Sequence, residues 1–238
     1  MTDARAVLPS LRPQTFGDGR PDRVVDPIVE PQWAGIRALA AIDIGGPGEG
    51  GHTAGGVVLT DEDGEAIEGY PEILEALRDA ALSEGLILDG YLTKQAVQDS
   101  TGVFLKVDAD TGVQSAIGHF FLGSRRNRAA EAAETRAAIR RAETFGPDDV
   151  VTYVAFDLLW LDGESLLDIP LLERRRLLDN VLAESNLVRR GTFVRPPIAG
   201  WIRSWKAQGF VGLTFRAANS RYKPGGTSTE WTAAPMPR

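Results

Sequence analysis

Apolar residues fall into short runs separated by turn-forming clusters, and the runs take two periods. Residues 35–43 carry a compact apolar stretch, Ala38 to Ile42, of strand length. A second strand follows at Gly56-Val57-Val58-Leu59-Thr60, and Asp61-Glu62-Asp63-Gly64 reads as a turn. From Tyr70-Pro71-Glu72 the period becomes helical: Ile73, Leu74, Leu77 and Ala81 share one face, and Gly85 is expected to end the helix. Gly85 to Leu92 reads as a buried strand. The longest apolar strand is Val150 to Leu161, closed by Asp162-Gly163. A helix is expected from about Asp168 to Glu184, a strand ending at Val194-Arg195-Pro196-Pro197, and a short helix from Ala199 to Gln208 that stops at Gly209.

Between these elements the signals are weaker. Residues 1–29 hold Pro9, Pro13, Pro21, Pro27, Gly17 and Gly19, so an irregular extended lead-in is expected, with Val7, Leu8, Phe16 and Ile28 covering one side of the fold. Residues 103–107 could add a strand, and Asp108 to Gly112 reads as a plain turn because no acidic residue closes a calcium loop. Ser124 to Ala142 is an Ala- and Arg-rich helix with a solvated face. Its arginines (Arg125, Arg126, Arg128, Arg136, Arg140 and Arg141) are interspersed with Glu131 and Glu134. Gly46, Gly48 and Gly51 fit the spacing of a dinucleotide fingerprint, but a strand follows instead of a helix, so a hairpin loop is the better reading.

Composition narrows the class. At 238 residues, 43% hydrophobic and 25% charged, the chain suits one large globular domain. It contains no cysteine, which removes disulfides and thiol chemistry. No apolar run is long enough for a membrane helix and the N-terminus lacks a signal-peptide core, so a cytoplasmic location and no membrane partner are expected. The net charge of -7 argues against tight unassisted DNA binding, because phosphate neutralisation usually requires a basic balance. Of the 26 basic residues only Lys94, Lys106, Lys206 and Lys223 are lysines. The two histidines, His52 and His119, are far apart in sequence and suggest no metal site.

One run ties these elements together. Glu30-Pro31-Gln32-Trp33-Ala34-Gly35-Ile36-Arg37 resembles the signature of ATP-dependent DNA ligases, Glu-x-Lys-x-Asp-Gly-x-Arg. Glu30, Gly35 and Arg37 keep their places, Gln32 stands at the lysine and Ala34 at the aspartate. Further signatures follow in order. Leu88-Asp89-Gly90-Tyr91 resembles Leu-Asp-Gly-Glu, and Phe156 holds the place of the adenine-stacking phenylalanine. Gly209 to Arg216 resembles Glu-Gly-x-x-x-Lys with Val211 and Arg216 at the glutamate and lysine, and Trp231-Thr232-Ala233-Ala234-Pro235 resembles Trp-x-Lys-x-Lys.

The resemblance implies an α+β nucleotidyltransferase fold, that of a DNA-ligase adenylation domain, with antiparallel sheets flanked by helices. It spans residues 25–238 after the lead-in 1–24, without the OB-fold domain such ligases carry. The family's nucleophile is a lysine amine that takes AMP as a phosphoramidate. An amide nitrogen cannot do this, because its lone pair is delocalised into the carbonyl. With Gln32, Ala34, Tyr91, Val211 and Arg216 at the altered places, no catalytic residue is expected, and Tyr91 and Val211 are expected to fill part of the pocket. Magnesium is not expected, since no carboxylate remains at Tyr91 or Val211. Glu30, Gln32, Arg37, Phe156 and Arg216 are the residues that would still hold ATP or AMP weakly.

Three roles are therefore expected to compete. The first is an inactive pseudo-ligase that binds an unknown protein partner, or DNA weakly, in repair. The second is an adenine nucleotide sensor. The third is an active nucleotidyltransferase using a relocated lysine or an OB-fold protein supplied in trans.

Overall fold

The computed structural model describes residues 3–45, 55–94, 145–146 and 149–237. The chain is built on two antiparallel sheets and a set of short helices. Strands β3 (Ile36–Asp43), β4 (Gly56–Thr60), β5 (Gly85–Thr93) and β6 (Thr152–Leu161) form the main sheet in the order β4-β3-β5-β6. The two-residue strand β7 (Glu164–Ser165) continues it, and β8 (Val188–Arg190) joins β6 in parallel. A smaller sheet runs β11 (Trp231–Pro235), β9 (Gly212–Ala217), β2 (Pro27–Pro31). β1 (Thr15–Phe16) and β10 (Thr227–Ser228) make a two-residue parallel pair.

Helices α1 (Ala4–Val7), α2 (Pro71–Ala80), α3 (Leu171–Val181) and α4 (Ala199–Ala207) cover the sheets. α2 buries Ile73 and Leu77 in a core with Ile42, Leu59, Leu86, Leu88 and Leu158. Each such side chain contributes about 1.5–3 kcal/mol relative to exposure. The smaller sheet packs Val29, Leu213 and Phe215 with Trp33, Trp205 and Phe210 in a second core.

The sequence pattern departs from the fold in a few places. Gly85 does not cap α2: the helix stops at Ala80 because Ala81 turns extended and bridges Leu182, and Gly85 opens β5. The strand expected to end at Val194 is β8, which ends at Arg190, and Val194 makes only one bridge, to Val29. The lead-in is more ordered than its prolines suggest, holding α1, short 3-10 turns at 8–10 and 21–23, and the start of β2. Its Leu8 and Ile28 are buried. The helix at 124–142, the strand at 103–107, the turn at 108–112, most of the glycine loop, Lys106 and both histidines lie outside the described residues.

Candidate functional site

The site is organised by an irregularity in one strand. Along β5–β6, Asp89 is opposite Asp157, and the next register pair is Gly90 with Ala155, so Phe156 is the extra residue of a β-bulge. A bulged residue leaves the ladder and aims its groups elsewhere. The Phe156 carbonyl accepts from Arg175 Nη1 at 2.5 Å and from Arg216 Nη2 at 3.3 Å. Its ring is met by Arg37 at 4.6 Å, by Arg216 at 4.9 Å and by the tilted Tyr91 ring at 5.5 Å. Gly90 has no Cβ because one there would lie 2.6 Å from both the Tyr153 ring and the Val154 carbonyl.

Two ion-pair clusters flank this ring. In the first, Arg37 donates to both oxygens of Asp89 at 2.7 Å each, to Tyr91 Oη at 3.2 Å and to the Gln14 carbonyl at 3.3 Å. Tyr222 Oη donates to Asp89 at 2.6 Å and accepts from the Gln14 amide at 2.9 Å. Burial works against the charged form of Arg37, but Asp89 outweighs it and raises the guanidinium above its ordinary range. Burial raises the Tyr91 and Tyr222 hydroxyls, so both remain neutral, Tyr91 accepting from Arg37 and Tyr222 donating to Asp89.

In the second cluster, Arg174 holds both oxygens of Asp157 at 2.8 Å each. Arg216 pairs with Glu30 and lies 3.7 Å from Asp157, and Arg175 lies 3.6 Å from Glu30. Three buried guanidiniums therefore face two buried carboxylates. Burial, and the neighbouring Arg216 charge, lower Arg175 below the ordinary arginine value. Glu30 Oε1, Arg175 Nε, and Arg216 Nε and Nη1 make no hydrogen bond within the protein.

Beside the clusters lies a small cleft lined by Phe16, Glu30, Pro31, Trp33, Tyr91, Phe156, Thr214 and Arg216. Its enclosed space is about 10 Å³, room for about one water molecule. The Trp33 indole N–H also lacks a partner.

The signature residues are only partly gathered there. Glu30, Tyr91, Phe156 and Arg216 line the cleft, and Arg37 stacks behind Phe156. Gln32 does not line it. Its amide donates to the Gly212 carbonyl at 2.9 Å and its side-chain oxygen fills the space a Cβ on Gly212 would need. Ala34 is buried, and its carbonyl accepts from Thr93 Oγ1 at 2.7 Å. Val211 is not pocket filling as expected. It lies in the short irregular link just before β9 and is 37% exposed. Lys94, Lys206 and Lys223 do not line the cleft, and Lys94 pairs with Asp149 at 3.0 Å.

The sequence reading missed Asp89, Asp157, Arg174 and Arg175 as site residues. A signal existed for the arginines: Leu171, Arg174, Arg175 and Leu178 share one helical face, which places two guanidiniums on the buried side of α3.

The donor set does not fit a magnesium ion. Glu30, Asp89 and Asp157 are each turned to a guanidinium, and no group of three acidic or imidazole side chains among the described residues is arranged around a metal-sized centre. Nor does the cleft, as arranged, fit an adenine base, because guanidiniums and Tyr91 meet the Phe156 ring. No helix among the described residues is long and apolar enough to cross a membrane.

Comparison with known proteins points one way. The chain is similar over 166 residues to a DNA ligase of Pyrobaculum calidifontis, at 26% identity, covering 68% of this chain and 24% of that protein. It is also similar to a DNA ligase of Thermococcus fumicolans, at 32% identity over 80 residues, or 32% of this chain and 14% of that one. The chain thus spans a quarter or less of these relatives' length. Among solved structures, the ligase domain of M. tuberculosis LigD superposes with a TM-score of 0.57 at 23% identity, over 94% of this chain and 59% of that one. A mycobacterial DNA ligase D complexed with ATP and MES gives 0.56 at 24% identity, over 94% and 60%. Residues 57–233 match the family described as ATP dependent DNA ligase domain, and with this match, the bulged Phe156 strand and the ordered signature places, the chain belongs to that family.

Proposed function

We propose that this chain is a ligase-fold module that does not adenylate itself and acts by binding, as a regulatory or scaffolding component of DNA repair. One observation carries the reading: the charged groups around Phe156 are paired with one another. Glu30 is held by Arg216 and Arg175, Asp157 by Arg174, and Asp89 by Arg37. Phosphoryl-type transfer depends on positioned charges facing the phosphate and on a nucleophile near attack distance. Here Gln32 lies against Gly212, and arginine stays protonated, so Arg216 is no substitute nucleophile.

The test is incubation with labelled ATP and magnesium, followed by intact-mass spectrometry. An unmodified chain is the expected result. An AMP adduct on any lysine would overturn the reading and favour the active enzyme with a relocated nucleophile.

A second reading is a non-catalytic adenine nucleotide sensor. It is favoured by the unpartnered N–H groups of Trp33 and Arg216 beside the retained Phe156, and it requires Tyr91 and the guanidiniums to move off the Phe156 ring when the base binds. Calorimetric titration with AMP separates the two, since a pure scaffold releases no binding heat. DNA as a direct partner is tested by a gel shift at low salt.

A further inference from the structure

The buried charges do not balance. Among the described residues, four buried guanidiniums (Arg37, Arg174, Arg175 and Arg216) accompany three buried carboxylates (Glu30, Asp89 and Asp157). Asp89 neutralises Arg37 and Asp157 neutralises Arg174, each through two hydrogen bonds. Glu30 is left to serve Arg175 and Arg216 together. Arginine stays protonated inside proteins, so the surplus positive charge cannot be shed as a proton. A buried charge is costly unless another charge pairs with it.

The surplus is felt at Arg216. Its guanidinium lies against the Phe156 and Trp231 rings, both at 4.9 Å. Aromatic faces attract a cation without accepting the N–H bonds along its edge. On that edge Nη2 donates to Glu30 and to the Phe156 carbonyl, whereas Nε and Nη1 have no hydrogen-bond partner. Arg175 directs both Nη groups to the Phe156 and Gly191 carbonyls, and its Nε is also unpartnered. Arg216 lines the cleft together with Trp33, whose indole N–H is a further unpartnered donor. The enclosed space of about 10 Å³ admits a particle of about the size of water, too little for phosphate. A water molecule there meets the donors, and the unpartnered Glu30 Oε1 as well, but leaves the surplus charge as it was.

We propose that the cleft takes up one small monovalent anion, a halide such as chloride, where Arg216 and Trp33 meet it. The Arg216 edge and the Trp33 N–H are its donors. Glu30 repels the anion, and the charges of Arg216 and Arg175 outweigh that repulsion. The halide is a structural counter-ion: it completes the pairing that the three carboxylates leave unfinished. The inference goes beyond the binding-module reading, since the charge is in surplus whether or not the chain adenylates itself.

Thermal unfolding tests the site, with sodium gluconate exchanged for sodium chloride at constant ionic strength. Chloride at about tenfold excess over its dissociation constant is expected to raise the midpoint by about 3–6 °C, along a curve that saturates. Arg216→Met removes the surplus charge, and Trp33→Phe removes the indole N–H but keeps a ring; both are expected to lose most of this increment. A midpoint that ignores chloride, or rises without saturating, overturns the proposal on the unaltered chain alone, whether or not the variants fold. So does an undiminished increment in both folded variants. A saturating increment from inorganic phosphate and none from chloride also overturns it, and favours the nucleotide sensor. A covalent AMP adduct would instead overturn the non-adenylating reading and leave the halide site standing.

Discussion

Asp89 and Asp157 stand opposite each other on β5 and β6, yet they belong to clusters of different character. Around Asp89 the charges balance: one guanidinium, bound through two nitrogens, and one neutral tyrosine hydroxyl satisfy both oxygens. Around Asp157 they do not: Arg174, Arg175 and Arg216 share two carboxylates, and several of their nitrogens go without a partner. A balanced buried pair is expensive to break, whereas a surplus buried charge is itself destabilising. The first cluster thus behaves as a fastener of the fold. The second is where unmet bonding capacity faces the cleft.

The largest effect is expected at the balanced cluster. Asp89→Ala leaves Arg37 fully charged, buried and without its carboxylate. Removing one partner of such a pair costs about 3–5 kcal/mol. Urea denaturation should show a midpoint far below that of the unaltered chain, or no folded state at room temperature. A change under about 1 kcal/mol would mean that water or Tyr91 compensates Arg37 and that the two clusters do not differ in kind.

Much of this was legible before any coordinates. The strand with Phe156, the Asp162-Gly163 turn, the amphipathic α2 and the ordered signature places follow from period and turn chemistry. The clusters were not legible, because pairing depends on register. Asp157 meets Arg174 next to the Phe156 bulge, where the β5–β6 register shifts by one residue. The direction of Gln32 was hidden for a similar reason: the missing side chain at Gly212, on another strand, makes the room it occupies. Val211 was misjudged because a signature position was taken as a pocket position, although it lies exposed in the link before β9.

A third acidic site sharpens the contrast with the sign reversed. Asp3 and Asp43 share one arginine, Arg5, at 3.6 and 3.5 Å, and Asp43 also accepts from the Ala4 and Arg5 amides. Burial, with the Asp3 hydrogen bond, raises the Asp43 carboxyl to about 6, while that same bond lowers Asp3. A folded pKa above the unfolded one gives stability that is full below about pH 4 and is lost as pH rises through about 6. The lowered Asp3 changes stability only below about pH 4, so between pH 5 and pH 7.5 the Asp43 shift alone acts, and the loss there is on the order of 1 kcal/mol. Denaturation of Asp43→Asn against the unaltered chain at pH 5 and pH 7.5 reads it: the variant should be relatively more stable at the higher pH.

At the unbalanced cluster the expected effect is smaller still. Arg216→Met removes the surplus charge while Glu30 keeps Arg175 and Asp157 keeps both bonds to Arg174. Removing one partner of a balanced pair is costly, but here two guanidiniums are left facing two carboxylates, and relief of the surplus charge offsets the bond that Glu30 loses, so stability within about 1 kcal/mol of the original is expected. A loss as large as that of Asp89→Ala would show that Arg216 is a fastener too.

The smallest effect is expected where the resemblance would suggest the largest. Gln32→Lys restores the family's nucleophile in name. The lysine would start from a backbone bonded to Gly212, beside a cleft it does not line, with Glu30, Asp89 and Asp157 already committed to arginines. A reactive amine needs a lowered pKa and attack geometry as well as a lone pair. No AMP adduct is therefore expected by intact-mass spectrometry after incubation with ATP and magnesium. An adduct in this variant would mean that the nucleophile alone separated the chain from an adenylating enzyme. The pairing of the two clusters around Phe156 would then be a resting arrangement that ATP can displace.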